Sequence, residues 1–120
     1  EKQPLLIIGD RAGSFLGEYQ AGGTIIVLGL NQKGKPPVGY FCGTGMHGGT
    51  MYLRCDTLPA SLPPQVAARD ATEADKEVLR LLLDEYCAIF SFDKEQLLAS
   101  HFFVLQANSA TPYRMLYTHV

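Results

Sequence analysis

Residues 39–54 read GYFCGTGMHGGTMYLR and determine the fold expected for this chain, because they repeat an earlier stretch. The earlier copy lies 26 positions upstream, where residues 13–28 read GSFLGEYQAGGTIIVL. Both copies carry glycine at the same four positions, and both end in a short apolar run. The repeat glycines are Gly13, Gly17, Gly22 and Gly23, then Gly39, Gly43, Gly48 and Gly49. A self-match at a fixed spacing indicates stacked copies of one structural unit.

The length of each copy indicates what that unit is. Residues 5–9, LLIIG, resemble residues 25–29, IIVLG, at a spacing of 20, and form a partial further copy. Residues 31–37, NQKGKPP, have the composition of a loop insertion, without which the 26-residue spacing falls to 19. Short β-forming runs between glycine corners, repeated about every 20 residues, are typical of the coils of a β-helix. The sequence therefore predicts an all-β fold, a single-stranded parallel β-helix of about three coils.

Alternation along each strand assigns its residues to two faces. We take Arg54 as an outward, solvated residue at the end of its strand. Two inward stacks then follow: Leu5 with Ile25 and Met51, and Ile7 with Val27 and Leu53. The outward row of Leu6, Ile26 and Tyr52 is too apolar to face water. We expect the C-terminal segment to cover that row.

The second half of the chain has a different pattern. Residues 1–58 form the predicted coils, and residues 59–120 form an α-helical and extended segment packed on them within one structural domain. That segment begins with a proline-rich connector, continues with helices at about 73–90 and 94–99, and ends with a strand from Phe102 and a tail. Thr72 with Asp75, and Asp93 with Gln96, supply helix-capping signals. Because the chain starts without methionine directly upstream of a strand, we expect a piece of a longer protein.

The composition excludes several classes of partner. The net charge is −2, from 12 acidic and 10 basic residues without a run of one sign, so the basic surface that binds nucleic acids or anionic membranes is missing. No apolar run approaches the roughly 20 residues that span a bilayer. The three cysteines, Cys42, Cys55 and Cys87, form no CxxC pair. This pattern favours reduced thiols in a cytoplasmic protein.

Two motifs suggest a ligand-binding site, and neither has the surroundings that such a site requires. Residues 43–48 match GxGxxG, which leaves a small nucleotide-binding protein as an alternative function. That motif must open into a helix, whereas the residues from Gly49 onward have the pattern of a strand. Cys42, His47 and Cys55 are close in sequence but lack the spacing and the fourth ligand of a zinc site. We therefore expect no catalytic, cofactor-binding or metal-binding residue, and we assign the repeat glycines a structural role.

The glycine-rich stretches resemble a known family. Residues 9–29, GDRAGSFLGEYQAGGTIIVLG, together with residues 45–54, GMHGGTMYLR, are similar to the GXGXG family. The resemblance covers residues 5–54. That family includes the C-terminal domain of the glutamate synthase large subunit, stand-alone glutamate synthase-like subunits, and one of the subunits of formylmethanofuran dehydrogenase. The tail resembles the stand-alone subunits.

The resemblance implies a right-handed β-helix with an architectural role. In the family this domain packs against the amidotransferase domain and the synthase domain, and the catalytic cysteine, FMN and iron–sulfur clusters lie in those partners. It thus implies a non-catalytic structural and assembly module of a glutamate synthase-like multi-subunit oxidoreductase, for glutamate biosynthesis. The alternative is a formylmethanofuran dehydrogenase-type complex. Whether the chain has any activity alone stays open.

The first strand is expected to have an exposed edge. Residues 5–8 begin a parallel stack, and residues 1–4 are too few to cover them. An uncovered apolar β edge associates with other chains. We therefore predict self-association through residues 5–8, unless upstream coils cover this edge in a longer protein.

Overall fold

The structure, a computed structural model, describes residues 5–10, 23–30, 49–58, 62 and 66–107. In these residues the chain forms one five-stranded sheet and three short helices. The strands are β1 (Leu5–Ile8), β2 (Thr24–Val27), β3 (Thr50–Arg54), β4 (Val66–Asp70) and β5 (Phe102–Ala107). The helices are α1 (Glu73–Leu82), α2 (Asp84–Phe90) and α3 (Lys94–Leu98). Within the described part of the chain, no helix is long and apolar enough to cross a membrane.

The sheet is mixed, with the strand order β1-β2-β3-β5-β4. β1, β2 and β3 pair in parallel, whereas β5 runs antiparallel to both β3 and β4. The predicted all-β, right-handed parallel β-helix is therefore wrong, and the chain has an α/β fold. In a β-helix a further coil would stack in parallel on β3. Here β5, from the far end of the described chain, occupies that edge of β3 in the opposite direction.

The sequence repeat does set the register between β2 and β3. Ile25 lies beside Met51, and Val27 lies beside Leu53. Both pairs are spaced as the 26-residue repeat predicts. The pairing of these two strands is thus confirmed, although the architecture built on it is not.

The register of β1 differs from the prediction by one residue. Leu5 lies beside Thr24, and Ile7 lies beside Ile26, a spacing of 19 where 20 was predicted. Because side chains alternate along a strand, a slip of one residue moves each of them to the other face. Leu6 therefore lies beside Ile25, on the face opposite to the one predicted.

The sheet packs a hydrophobic core on each face. The core on the helical face joins the sheet to all three helices, and its buried residues are Ile26, Leu28, Tyr52, Leu79, Leu83, Cys87, Leu97, Leu98, Phe102 and Val104. The core on the other face consists of Val27, Met51, Leu53, Cys55, Val66, Phe103 and Leu105. The C-terminal helices do cover Ile26 and Tyr52, but Leu6 remains 51% exposed because of its shifted register.

The starts of α1 and α3 have the caps that the sequence predicts. Thr72 accepts a hydrogen bond from the Asp75 backbone, and the Asp75 carboxylate accepts one from the Thr72 backbone, which completes a capping box. The hydrogen bond from Arg69 is the main cause that holds the pKa of Asp75 well below its usual range. Asp93 caps α3 by accepting hydrogen bonds from the backbone of Glu95 and Gln96.

The segment predicted as a single helix over 73–90 contains two helices that meet at Leu83. α1 ends there, and α2 then ends where Ser91 adopts a left-handed conformation with φ 60°. In that conformation the backbone N–H of Phe92 donates to the carbonyl of Cys87. The chain therefore reverses after α2 and returns through α3 to the sheet.

Candidate functional site

Polar side chains gather where the parallel strands end, an edge that we call the carboxyl edge. β3 ends there with Arg54, followed by Cys55 and Asp56. β4 ends there with Asp70, and β5 starts there because it runs the other way, which brings the residues before it to the same edge. Open α/β sheets bind ligands outside the carboxyl ends of their strands. The carboxyl edge is therefore the first place to search for a site.

Arg54 is the central residue of this edge. Its Nε donates to the Ser100 Oγ over 2.9 Å, and one terminal nitrogen donates to the Leu28 carbonyl over 3.1 Å. The side chain therefore connects the end of β2 to the turn before β5. Because Arg54 is partly buried and engaged in this way, the prediction of a solvated outward residue is wrong.

His101 forms the second polar group. Its Nε2 lies 2.6 Å from the Asp70 Oδ1, and its ring stacks on Phe103 at a centroid distance of 4.4 Å. The Cys55 backbone N–H donates to the His101 carbonyl, which fixes the turn against β3. A cavity of about 170 Å³ opens between these groups, and its lining residues are Arg54, Cys55, Asp56, Ser100 and His101.

The described thiols are not poised for nucleophilic chemistry. Burial, with a further contribution from Asp56, raises the pKa of Cys55 to about 11. Burial likewise raises the pKa of Cys87. Since the thiolate is the reactive form, both groups are protonated and unreactive near neutral pH. Of the three residues considered as metal ligands, Cys42 and His47 lie outside the described residues, and the described part contains no cluster of three such groups.

An apolar cavity of about 260 Å³ lies between β1 and the helices α1 and α2, and we call it the β1 groove. β1 forms the end of the sheet and pairs only with β2 among the described strands. The groove is lined by Leu5, Ile7, Leu82, Glu85, Tyr86, Ile89 and Phe90. Three of its apolar residues remain exposed: Leu5 at 45%, Ile89 at 66% and Phe90 at 57%.

Comparison with known proteins identifies the family. The sequence profile of the GXGXG motif matches residues 1–109. The chain belongs to the GXGXG family. This is the family of the C-terminal domain of the glutamate synthase large subunit, so the predicted resemblance is confirmed.

One curated relative is an uncharacterized protein, MJ1350, of Methanocaldococcus jannaschii. It is 38% identical over 124 aligned positions, which cover 98% of this chain and 48% of that protein. The chain thus spans about half the length of the curated relative it matches. No solved structure matches the chain.

Two of the repeat glycines that define this GXGXG chain lie in the described residues. Gly23 and Gly49 occupy equivalent places in the repeat and adopt φ of 79° and 76°, directly before β2 and β3. A side chain at either position would be strained, because L-residues rarely adopt such φ values. The other predicted repeat glycines, Gly13, Gly17, Gly22, Gly39, Gly43 and Gly48, lie outside the described residues.

A different constraint acts on Gly9, which does not belong to the set of repeat glycines. A Cβ built on Gly9 would lie 2.5 Å from the Tyr86 hydroxyl oxygen, so a larger residue there requires that tyrosine to move. Gly9 thus lets α2 approach the end of β1. The same close approach positions Tyr86 in the β1 groove.

The nucleotide motif lies wholly outside the described part of this GXGXG protein. Residues 43–48 are not described, but the residues that follow them are. They form strand β3, as the sequence pattern predicted, whereas a dinucleotide-binding turn opens into a helix.

Because Arg54 is hydrogen-bonded to Ser100 and Leu28, we expect its loss to destabilise the fold more than the loss of a solvated arginine. Arg54→Ala should lower the free energy of unfolding by about 1–3 kcal/mol, because two hydrogen bonds from a charged donor are lost. Chemical denaturation measures this change. Arg80→Ala is the matched control, since Arg80 pairs on the surface with Glu77 and Glu95 and should cost under about 1 kcal/mol. Equal, small losses in the two variants would contradict a positioning role for Arg54.

Proposed function

We propose that this chain is a non-catalytic assembly module of a glutamate synthase-like multi-subunit oxidoreductase. The observation that carries the proposal is the β1 groove, an apolar sheet edge continuous with exposed apolar helix residues. Such a surface is typical of a protein that associates with another chain. Membership of the GXGXG family supports the identity of the complex, since the C-terminal domain of the glutamate synthase large subunit belongs to the same family.

The two ends of the sheet differ in a way that favours β1 as the contact. β4, at the other end, carries the exposed charged residues Arg69 and Asp70, and charges of this kind discourage strand addition. β1 consists of two leucines and two isoleucines and has no charge. A partner strand or helix placed on β1 would therefore bury apolar surface without burying a charge from the strand.

In this proposed complex the partner subunits carry out the catalytic reactions. In it, FMN, the iron–sulfur clusters and the catalytic cysteine belong to the synthase and amidotransferase subunits, as in the relatives that the sequence resembles. The protonated thiols of Cys55 and Cys87 agree with a chain that supplies contacts rather than a nucleophile.

Co-expression tests the assembly directly. The chain is produced together with the amidotransferase and FMN/iron–sulfur synthase subunits of its own organism and then separated by size-exclusion chromatography. We expect a stoichiometric complex. Elution of the chain apart from both subunits would contradict the proposal, and a complex formed instead with a pterin–metal subunit would indicate the formylmethanofuran dehydrogenase-type alternative.

The β1 groove gives a sharper prediction for self-association of the chain alone and for its complex. Leu5→Lys should weaken both by at least about tenfold, because a charge would be buried at the contact. Leu81→Lys is the matched control, as Leu81 is 78% exposed on α1 and lies outside the groove. Sedimentation velocity measures the association. An effect of Leu81→Lys as large as that of Leu5→Lys would place the contact elsewhere.

Nucleotide titration tests the alternative of a small nucleotide-binding protein. We expect no micromolar affinity for NAD(P)H, FAD or ATP in isothermal calorimetry, because strand β3 follows the glycine motif where such sites need a helix. Saturable micromolar binding to any of the three would contradict this assignment and favour a ligand-binding role for residues 43–48.

A further inference from the structure

We propose that the carboxyl edge contains a binding site for a small organic carboxylate, with Arg54 as its anchor. The site lies in the cavity between the end of β3 and the turn before β5. It is distinct from the β1 groove, and it goes beyond an assembly role because it gives the chain a ligand of its own.

The charge of Arg54 lacks a counterion within the described residues. Its guanidinium is partly buried, and no carboxylate of those residues forms an ion pair with it. Cations withdrawn from water are normally paired with an anion. Among the other described cations, Arg69, Arg80 and Lys94 form ion pairs with carboxylates, whereas Lys76 donates to the Leu98 and Ser100 carbonyls. Among the described residues Arg54 has neutral oxygen partners, Ser100 and Leu28, so a bound anion would complete its interactions.

The geometry of the guanidinium suits a planar anion. A guanidinium has five N–H donors, and the described bonds to Ser100 and Leu28 use two of them. These two bonds, from Nε and from one terminal nitrogen, fix the orientation of the group. Donors remain for a ligand, and a planar carboxylate is the shape that a guanidinium binds with two parallel hydrogen bonds. The site is therefore partly organised before any ligand arrives.

The space around Arg54 accommodates more than a bare ion. The cavity of about 170 Å³ borders a second one of about 330 Å³, and Arg54 and Ser100 line both. The second cavity adds Phe92, Asp93, Gln96 and Leu97, which combine apolar surface with a carboxylate and an amide. A carboxylate head can thus lie in the smaller cavity while a short carbon chain extends into the larger one. A bare inorganic ion would leave that second space unused.

The charges around Arg54 select the class of anion. Asp56 lines the smaller cavity, and Asp93 lines the larger one. Arg54 attracts either anion, whereas these two carboxylates repel both, and they repel a doubly charged phosphate more strongly than a singly charged carboxylate. A simple cation is disfavoured as well, because it would lie beside Arg54. A monocarboxylate with a short chain is the ligand that fits both the charges and the shape.

The experiment is an NMR titration of the ¹⁵N-labelled chain with acetate, butyrate and inorganic phosphate. We expect acetate and butyrate to shift the Arg54 Nε–H signal and the amide signals of Cys55, Asp56 and His101, with saturation in the millimolar range. Butyrate should bind more tightly than acetate, by up to about fourfold for each methylene that it buries. Phosphate should bind at least about tenfold more weakly than butyrate. The absence of saturable shifts with both carboxylates would overturn the proposal.

Two variants and one control separate this site from nonspecific anion binding. Arg54→Gln should abolish the carboxylate-dependent shifts, whereas Arg80→Gln, which removes a surface arginine already paired with Glu77 and Glu95, should leave them unchanged. Shifts that persist in folded Arg54→Gln would overturn the proposal. Asp56→Asn changes an exposed residue and decides the question even if Arg54→Gln fails to fold. It should raise the phosphate affinity severalfold, and an unchanged affinity would show that no anion binds beside Asp56.

Discussion

Phe102→Ala is expected to lower the free energy of unfolding by about 3–5 kcal/mol, the range for a fully buried phenylalanine. Phe102 is 1% exposed and lies in the core between β5 and the three helices. The ammonium group of Lys76 lies 5.7 Å from the ring centroid and donates to the Leu98 and Ser100 carbonyls. Loss of the ring would therefore open a cavity in the core. It would also remove the contact between the ring and the Lys76 ammonium group, which binds the carbonyls at the end of α3.

Chemical denaturation of the purified chain measures this loss, and Phe90→Ala is its control. Phe90→Ala removes the same aromatic ring, but Phe90 is 57% exposed at the end of α2. Its ring packs on Tyr86 at a centroid distance of 4.8 Å but stays largely exposed, so its removal should cost under about 1 kcal/mol. If the two variants lost equal stability, the helices would not pack on the sheet as described.

Leu53→Ala is the second large effect, expected at about 3 kcal/mol. Leu53 is fully buried on the face of the sheet that lies opposite the helices. It is in the middle of the sheet, beside Val27 on β2 and Phe103 on β5. A methyl group at this position would leave a gap that neighbouring strands cannot close without losing their hydrogen bonds.

The matched control for that variant is Leu81→Ala. Leu81 is 78% exposed on α1, and alanine is the best helix former, so the change should stay within about 0.5 kcal/mol of zero. Thermal and chemical unfolding of the two variants, side by side, provide the comparison. A loss below about 1 kcal/mol for Leu53→Ala would mean that this face of the sheet has no packed core.

The repeat and the helix-capping residues predict the parts of the fold that they contain themselves. The shared 26-residue spacing predicted that Val27 lies beside Leu53, because copies of one unit pair at equivalent positions. The capping residues Thr72 and Asp93 predicted where α1 and α3 begin, since a cap acts within a single helical turn. Neither inference required knowledge of the distant chain.

The errors arose where a long-range contact decided the structure. The glycine that ends both apolar runs predicts a spacing of 20 between β1 and β2, yet the strands pair at 19. β4 was missed inside the proline-rich connector, where its alanines and charges at residues 67–70 give a weak strand signal. The insertion of β5 beside β3 ruled out the β-helix, and no repeat pattern could indicate that pairing.

The candidate site shows the same division between local and long-range information. Gly23 and Gly49 were selected from the repeat, and both have the backbone conformation that favours glycine. Ser100 and His101 were not selected, since neither belongs to a motif and each is adjacent in space to Arg54 or Asp70 only after β5 joins the sheet. Arg54 is predicted as solvated because its outward position is the premise from which the two strand faces are assigned.

The position of β5 in the sheet also determines when the chain can fold during synthesis. β5 is the last described strand to leave the ribosome, yet it lies between β3 and β4. β1, β2 and β3 can pair as soon as residue 54 has emerged, while β4 has no described partner strand until residues 102–107 follow. Contacts between such distant segments form slowly because a long loop must close first. Until residues 102–107 have emerged, one edge of β3 and both edges of β4 therefore have no partner among the described strands, and unpaired strand edges of this kind associate with other chains.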